Sequence, residues 1–147
     1  MTNMTLLFAV GLPLLILLSS WTSWAGALWF CARASGWAEL ATQYGHAFPE
    51  SSTPRTFRRL GLGRRMPLMY NNAIRARILN HTLHLRPTFL AKSSHKPLAI
   101  PLEDLDFEAD SSTEKAKRIA SLMTFPERKL WFTQEDAAWI KAAKGSG

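Results

Sequence analysis

The first 32 residues contain no Asp, Glu, Lys or Arg, so all 18 basic and 11 acidic side chains lie from Arg33 onward. A chain divided in this way is not a uniformly soluble protein. Cysteine is almost absent too: the single Cys31 excludes an intramolecular disulfide framework and any cysteine-based zinc finger. No H-E-x-x-H, G-x-S-x-G or Walker pattern occurs, which withdraws the commonest zinc-protease, serine-hydrolase and nucleotide-triphosphatase signatures. With 147 residues there is room for about one domain, and 11% aromatic residues speak against a chain disordered throughout.

The uncharged block supplies the first positive reading. Residues 4–31 form a run of 28 uncharged, mostly apolar residues, longer than the roughly 20 that cross a hydrocarbon core. They are expected to form a transmembrane helix, with Pro13 tolerated as a kink and Trp21, Trp24 and Trp29 near the headgroups, where indole rings collect. A cleaved signal peptide is the rival, with Ala25-Gly26-Ala27 as its small-residue site. Met1–Met4 lack the positive charge that opens such a signal, and Leu28-Trp29-Phe30 would follow the cut, so a retained anchor is favoured. The bulky residues before Cys31 also argue against a lipoprotein signal. Ser19, Ser23, Ala27 and Cys31 recur every four residues, a small-residue stripe along which a second helix could pack. Basic residues stay on the cytoplasmic side of a span. Because Arg33, Arg55, Arg58, Arg59, Arg64 and Arg65 all follow the block, the C-terminal part is expected in the cytoplasm.

Beyond the anchor, Trp37, Leu40, Ala41 and Tyr44 fall at helical spacing, and residues 45–67, with three Pro and three Gly, read as a loop. Residues 36–66 are thus expected to be a juxtamembrane helix and a basic linker. Residues 67–144 are expected to form a β-rich domain. Leu68–Leu79 and Thr82–Arg86 make a hairpin turning at Asn80-His81. Phe89–Lys92 and Leu98–Pro101 are two more short strands, Asp104–Ser112 is an acidic turn region, and Ala116–Phe125 alternates weakly. Pro126-Glu127 is a turn and Lys129–Thr133 a strand. Thr133 with Asp136 resembles a capping box that opens a last helix, with Lys141 and Lys144 suiting its negative end.

Gly36-Trp37 followed by Leu40-Ala41 and Tyr44, then Tyr70-Asn71-Asn72, Leu83-His84-Leu85 and Ser94–Pro101 (SHKPLAIP), resembles an uncharacterised family of short bacterial membrane-anchored proteins. These share a leading apolar helix, a G-W-x-x-L-A-x-x-Y element and an H-x-P-L-x-I-P strand. The resemblance covers most of the chain. It departs at Asn80-His81-Thr82, where the pattern often has Gly, and at Leu102, where it closes on Trp. It implies a location and a fold and supplies no catalytic residue. The expected class is α+β, one N-terminal transmembrane helix and a small antiparallel β-rich domain closed by a C-terminal helix. In element order this is similar to pleckstrin-homology-like barrels, an analogy of fold alone.

Candidate chemistry is sparse. Of the four histidines, His46, His81, His84 and His95, the pair His81 and His84, three apart on a strand, would point to opposite faces, and no carboxylate or thiol sits at a companion spacing, so no metal is expected. His95 beside Lys96 and Pro97 reads as a turn residue rather than a base. Gly61-Leu62-Gly63-Arg64-Arg65 lacks the strand-to-helix context of a phosphate loop. Asn80-His81-Thr82 has the glycosylation pattern, which a cytoplasmic location makes irrelevant. Glu103, Asp104, Asp106, Glu108 and Asp110 lack the sharp-turn Gly of a calcium loop and read as a solvated edge strand or turn.

Charge remains as the functional signal. From Arg33 to Leu102 there are 11 basic and 2 acidic residues, against 7 basic and 9 acidic from Glu103 onward. Arg55, Arg58, Arg59, Arg64 and Arg65 are expected to contact anionic headgroups, at about 1 kcal/mol per charge, or else only to set topology. Nucleic acid is disfavoured, because no stacking platform or recognition motif accompanies the charge. The expectation is a single-pass protein of the bacterial inner membrane, with no cofactor and no enzymatic activity. Its cytoplasmic domain binds or scaffolds at the membrane surface, or serves as an accessory subunit or assembly factor of a larger membrane complex, with Ser19, Ser23 and Ala27 as a helix-packing stripe.

Overall fold

The computed structural model describes residues 2–50, 53–64, 67–88, 92, 94–108 and 117–146, with side chains throughout these except at 2–14, 17 and 117. The chain is α+β. Helix α1 (Thr2–Ser35) leads into α2 (Trp37–Tyr44). Strands β1 (Arg55–Gly63), β2 (Leu68–Leu79), β3 (Thr82–Pro87), β4 (Leu98–Pro101), β5 (Leu105–Phe107), β6 (Lys117–Leu122) and β7 (Lys129–Thr133) follow, then α3 (Gln134–Lys144). The strands form one antiparallel sheet in the order β4-β3-β2-β1-β7-β6-β5.

Its edge strands are consecutive in the chain. Between Pro101 and Leu105 lies only the 3-10 turn Leu102–Asp104. Seven strands laid flat would be about 29 Å wide, whereas four residue steps reach at most ~14 Å. The sheet must therefore curl until β4 and β5 approach, which encloses the core. Phe57, Leu60, Leu62, Ile74, Leu83, Leu85, Ile100 and Phe132 are all fully buried there.

Helices cover the two ends of this barrel. Where β1 begins, Arg55 pairs with Asp136 and Glu135 of α3, and Phe57 packs edge-on against Trp139 with ring centroids 6.0 Å apart. Where β1 finishes, the chain meets α1 and α2. Tyr70, third residue of β2, bonds Ser35, and Arg128, just before β7, pairs with Glu39 of α2.

Several local expectations hold. The β2–β3 hairpin turns at Asn80 and His81, whose φ values of 49° and 54° are the paired left-handed positions of a tight hairpin. His81 is thus in the turn, as the hairpin reading expects, so the question of His81 and His84 facing apart on one strand does not arise. Thr133 caps α3, accepting from the Asp136 backbone N at 3.2 Å and donating to Asp136 Oδ2 at 2.7 Å. Trp37, Leu40 and Tyr44 are buried on one face of α2.

Two expectations need correction. The linker over 45–67 contains β1, a nine-residue strand. Gly61 punctuates nothing: a Cβ there would come within 2.8 Å of Met69 Sδ and 2.9 Å of Pro67 Cβ, so the glycine permits close packing inside a strand. In the acidic region Asp104 ends a 3-10 turn and Leu105–Phe107 form β5, an edge strand as one of the two expected alternatives has it, but not a wholly solvated one, since Leu105 is fully buried. Residues 109–112 lie outside the described residues, as do 89–91 of the strand expected over Phe89–Lys92; Lys92 itself is in a turn.

Candidate functional sites

The exit of α1 is built first. Gly36 separates α1 from α2 in the left-handed region, at φ 86°, and the Arg128 guanidinium lies where a Cβ would stand, 2.5 Å from Cζ. Arg128 Nε in turn donates to Glu39 Oε2 at 2.9 Å. Beneath this bend is a polar cluster. Tyr70 donates its hydroxyl proton to Ser35 Oγ at 2.9 Å, and Ser35 donates to the Ala32 carbonyl at 3.3 Å. The Tyr70 oxygen has then used its only proton, so His95 Nε2, 3.1 Å away, is the donor to it. That tautomer leaves Nδ1 to accept from Ser94 Oγ at 2.8 Å. The four side chains form one directed chain of hydrogen bonds ending on α1, and Trp37 closes over it, edge-on to His95 at 5.4 Å, with Nε1 bonded to the Lys96 carbonyl at 2.8 Å. Burial pushes the Tyr70 hydroxyl up to about 12, with the Ser35 hydrogen bond working the other way. His95, expected as a turn residue, is in a bend but sealed in the core at 1% exposure.

Beyond this junction the described side chains of α1 from Leu15 to Phe30 are exposed, Leu28 excepted. Leu15, Ile16, Leu18, Trp21, Trp24, Trp29 and Phe30 are all exposed, Trp21 at 78%. At about 100° per residue they point all around the helix, leaving no polar face. Ser19, Ser23 and Ala27 are exposed as well, Ser19 and Ser23 returning their hydroxyls to helix carbonyls. Arg33 lies over the Trp29 ring at 4.3 Å. Among the described residues no helix is long and apolar enough to cross a membrane; side chains 4–14 of the expected span lie outside that set.

The basic residues do not assemble into one patch. Arg55 is held at the α3 end by Asp136 Oδ1 at 3.0 Å and Glu135 Oε1 at 2.6 Å, about 26 Å along the strand from Gly63. Arg58 and Arg59 are both exposed, because pairing shifts by one residue between Phe57 and Arg59, opposite the left-handed Asn72 (φ 50°), and alternation changes phase. Arg64 sits at the α1 end, 3.8 Å from Glu127. Arg65 lies outside the described residues. Sequence reasoning passed over Lys92 and Lys96, exposed on the β3–β4 loop at the same end as Arg64.

A second feature lies on the outer face of β2, β3 and β4. The chain after α2 crosses this face as a strap, tied down by the His46 N to Pro97 carbonyl bond of 3.1 Å and by an Arg77 hydrogen bond to the Pro49 carbonyl. Phe48 lies under the Arg86 guanidinium at 4.5 Å and that of Arg77 at 5.4 Å, and edge-on to His84 at 6.5 Å. Between strap and sheet is a groove of about 560 Å³, walled by His46, Ala47 and Pro49 on one side and by Thr82, His84 and Ala99 on the other. His84 Nδ1 and Arg77 Nε are buried with no hydrogen-bond partner among the described residues. Burial, then His46, then Arg77 hold the His84 imidazole below its ordinary value. The strap was missed in the sequence because its Gly, His and Pro residues carry no period.

No group of three metal-ligating side chains occurs among the described residues. No protein-family model matches the chain, nor does any curated protein or solved structure.

Proposed function

We propose that the chain is a single-pass membrane protein whose small domain, on the cytoplasmic side, binds or scaffolds at the membrane surface. The observation that carries this reading is α1, whose large apolar side chains from Leu15 to Phe30 are exposed on all sides of an uncharged helix, while the domain below has a buried core. Such a helix in water is unpaired with its solvent; in lipid it is at home. Residues 4–31 of the sequence have the length and the lack of charge for a span. The basic flank of Arg33 and Arg64, with Lys92 and Lys96, supports the inner-membrane orientation and contact with anionic headgroups. Seven antiparallel strands with a helix across one end support the pleckstrin-homology-like reading, an analogy that assigns no activity. The resemblance to short bacterial membrane-anchored proteins rests on its motifs.

A reporter fused after Gly147 tests the orientation: activity of a cytoplasmic reporter is expected, and activity of a periplasmic one contradicts it. The second reading, an accessory subunit or assembly factor, is favoured by the exposed Ser19-Ser23-Ala27 stripe. Mild detergent extraction distinguishes the two, since a stoichiometric membrane-protein partner belongs to the second.

A further inference from the structure

The groove beneath the strap is unrelated to the anchor. It opens beside the β2–β3 turn, while α1 leaves the barrel at the end where β2 begins. Its surroundings are predominantly cationic, through the arginines of β2 and β3. Strand β2 brings Arg75 and Arg77 and β3 brings Arg86, and in register Arg75 stands directly opposite Arg86. Like charges facing each other across a sheet destabilise it. Against these the strap offers one carboxylate, Glu50, largely exposed and 3.8 Å from Arg86. Strand β4 contributes only Ala99 and Pro101. A further acid, Asp104, is engaged by the hydroxyl of the groove-lining Tyr44 at 3.0 Å.

No acidic side chain lines the groove, whereas His46, His84, Asn80 and Thr82 offer polar groups within it and Ala47, Pro49, Leu79 and Ala99 give it apolar walls. A buried polar atom without a partner is costly; among the described residues His84 Nδ1, on the groove wall, has none, and neither has Nε of Arg77, its neighbour across the sheet. His84 is itself more than nine-tenths buried. A volume of about 560 Å³ falls in the range of small-molecule sites.

We propose that the groove between the 45–50 strap and the outer face of β2–β4 binds a small organic anion, a carboxylate or phosphate on a flat apolar body, taken from the aqueous phase. The anionic group lies against His84 and His46, where it meets the field of Arg77. The apolar body lies between Pro49 and Ala99. Headgroup phosphate shares this chemistry, but the groove lies away from the end from which α1 departs, which favours a soluble source.

The test uses the full chain in nanodiscs of neutral lipid, titrated calorimetrically with phenyl phosphate and benzoate, and with benzyl alcohol as the neutral counterpart. At least one anion is expected to bind tenfold or more tightly than the alcohol. Ala99→Leu, which fills the groove without touching the core, is expected to weaken binding at least tenfold, as is His84→Gln. The ring nitrogens of His84 should shift on titration while those of His95, sealed elsewhere, stay fixed. Repeating the titration in nanodiscs containing anionic phospholipid identifies the source: unchanged affinity keeps the soluble anion, and competition that survives high salt contradicts that part of the proposal. Equal binding of the alcohol, full affinity in Ala99→Leu, or no anion binding at millimolar probe overturns it.

Discussion

Tyr70 and Ser35, 35 residues apart, share a buried hydrogen bond of 2.9 Å that ties the last turn of α1 to the second strand of the barrel. Through it the apolar helix and the domain are held at one junction rather than joined by a free linker. His95 and Ser94 extend the bond into a chain, and Gly36 with Arg128 sets the bend above it.

The junction has an alkaline signature. The Tyr70 hydroxyl is raised from 10.0 to about 12 in the folded chain, so between those values the unfolded state loses a proton that the folded state keeps. Stability is full below pH 10 and falls at up to ~1.4 kcal/mol per pH unit as pH rises toward 12. Tyr70→Phe is expected to abolish this contribution while lowering neutral-pH stability by about 1–3 kcal/mol, since Ser35 and His95 lose a partner. Denaturant titrations followed by Trp fluorescence at pH 8 to 12 measure both.

Gly36→Ala should destabilise the same junction. A left-handed φ costs a residue with a Cβ about 1–2 kcal/mol, and the new methyl meets Arg128. A lowered melting temperature is expected; an unchanged one would mean that the bend is not held by these two residues.

The arginines divide by position. Arg55→Gln is expected to cost about 1.5–3 kcal/mol of stability by removing charge-assisted hydrogen bonds to α3, with little effect on lipid contact. Replacing Arg58, Arg59 and Arg64 with Gln should leave stability near wild type and reduce contact with anionic lipid by about 1 kcal/mol per charge. A fluorophore at Asn71→Cys in a Cys31→Ser background, quenched by labelled lipid in nanodiscs, reports that contact. The signal should fall as salt shortens the Debye length from ~10 Å at 0.1 M to ~3 Å at 1 M. Insensitivity to both salt and substitution would show that the charge sets topology alone.

Ser23→Leu with Ala27→Leu is expected to weaken helix association, measured by cross-linking in membranes, because bulky residues hold a second helix away. An unchanged pattern assigns these residues to lipid.

What was legible in the sequence was what is local. The β2–β3 hairpin follows from alternation on either side of Asn80-His81, and α3 from Thr133, Asp136 and its basic last turn. Strand β1 was hidden because Gly61 and Gly63, with flanking Pro54 and Pro67, are punctuation in isolation; only the neighbouring strands show Gly61 as a point of close approach. The junction cluster was hidden for a different reason. Ser35, Tyr70 and His95 each have an ordinary local setting, and their chemistry exists only once the barrel brings them together. The groove likewise depends on a strap whose course across β2–β4 is fixed by tertiary contacts.

The anchor is the central claim, and alkaline carbonate extraction of membranes containing the full chain tests it most directly. The wild-type chain is expected to stay in the pellet, while Leu15→Arg with Leu18→Arg, two exposed positions outside the domain core, is expected to be released. Each charge near the centre of a span costs about 2.5–3.5 kcal/mol. A wild-type chain recovered in the carbonate supernatant would contradict the account.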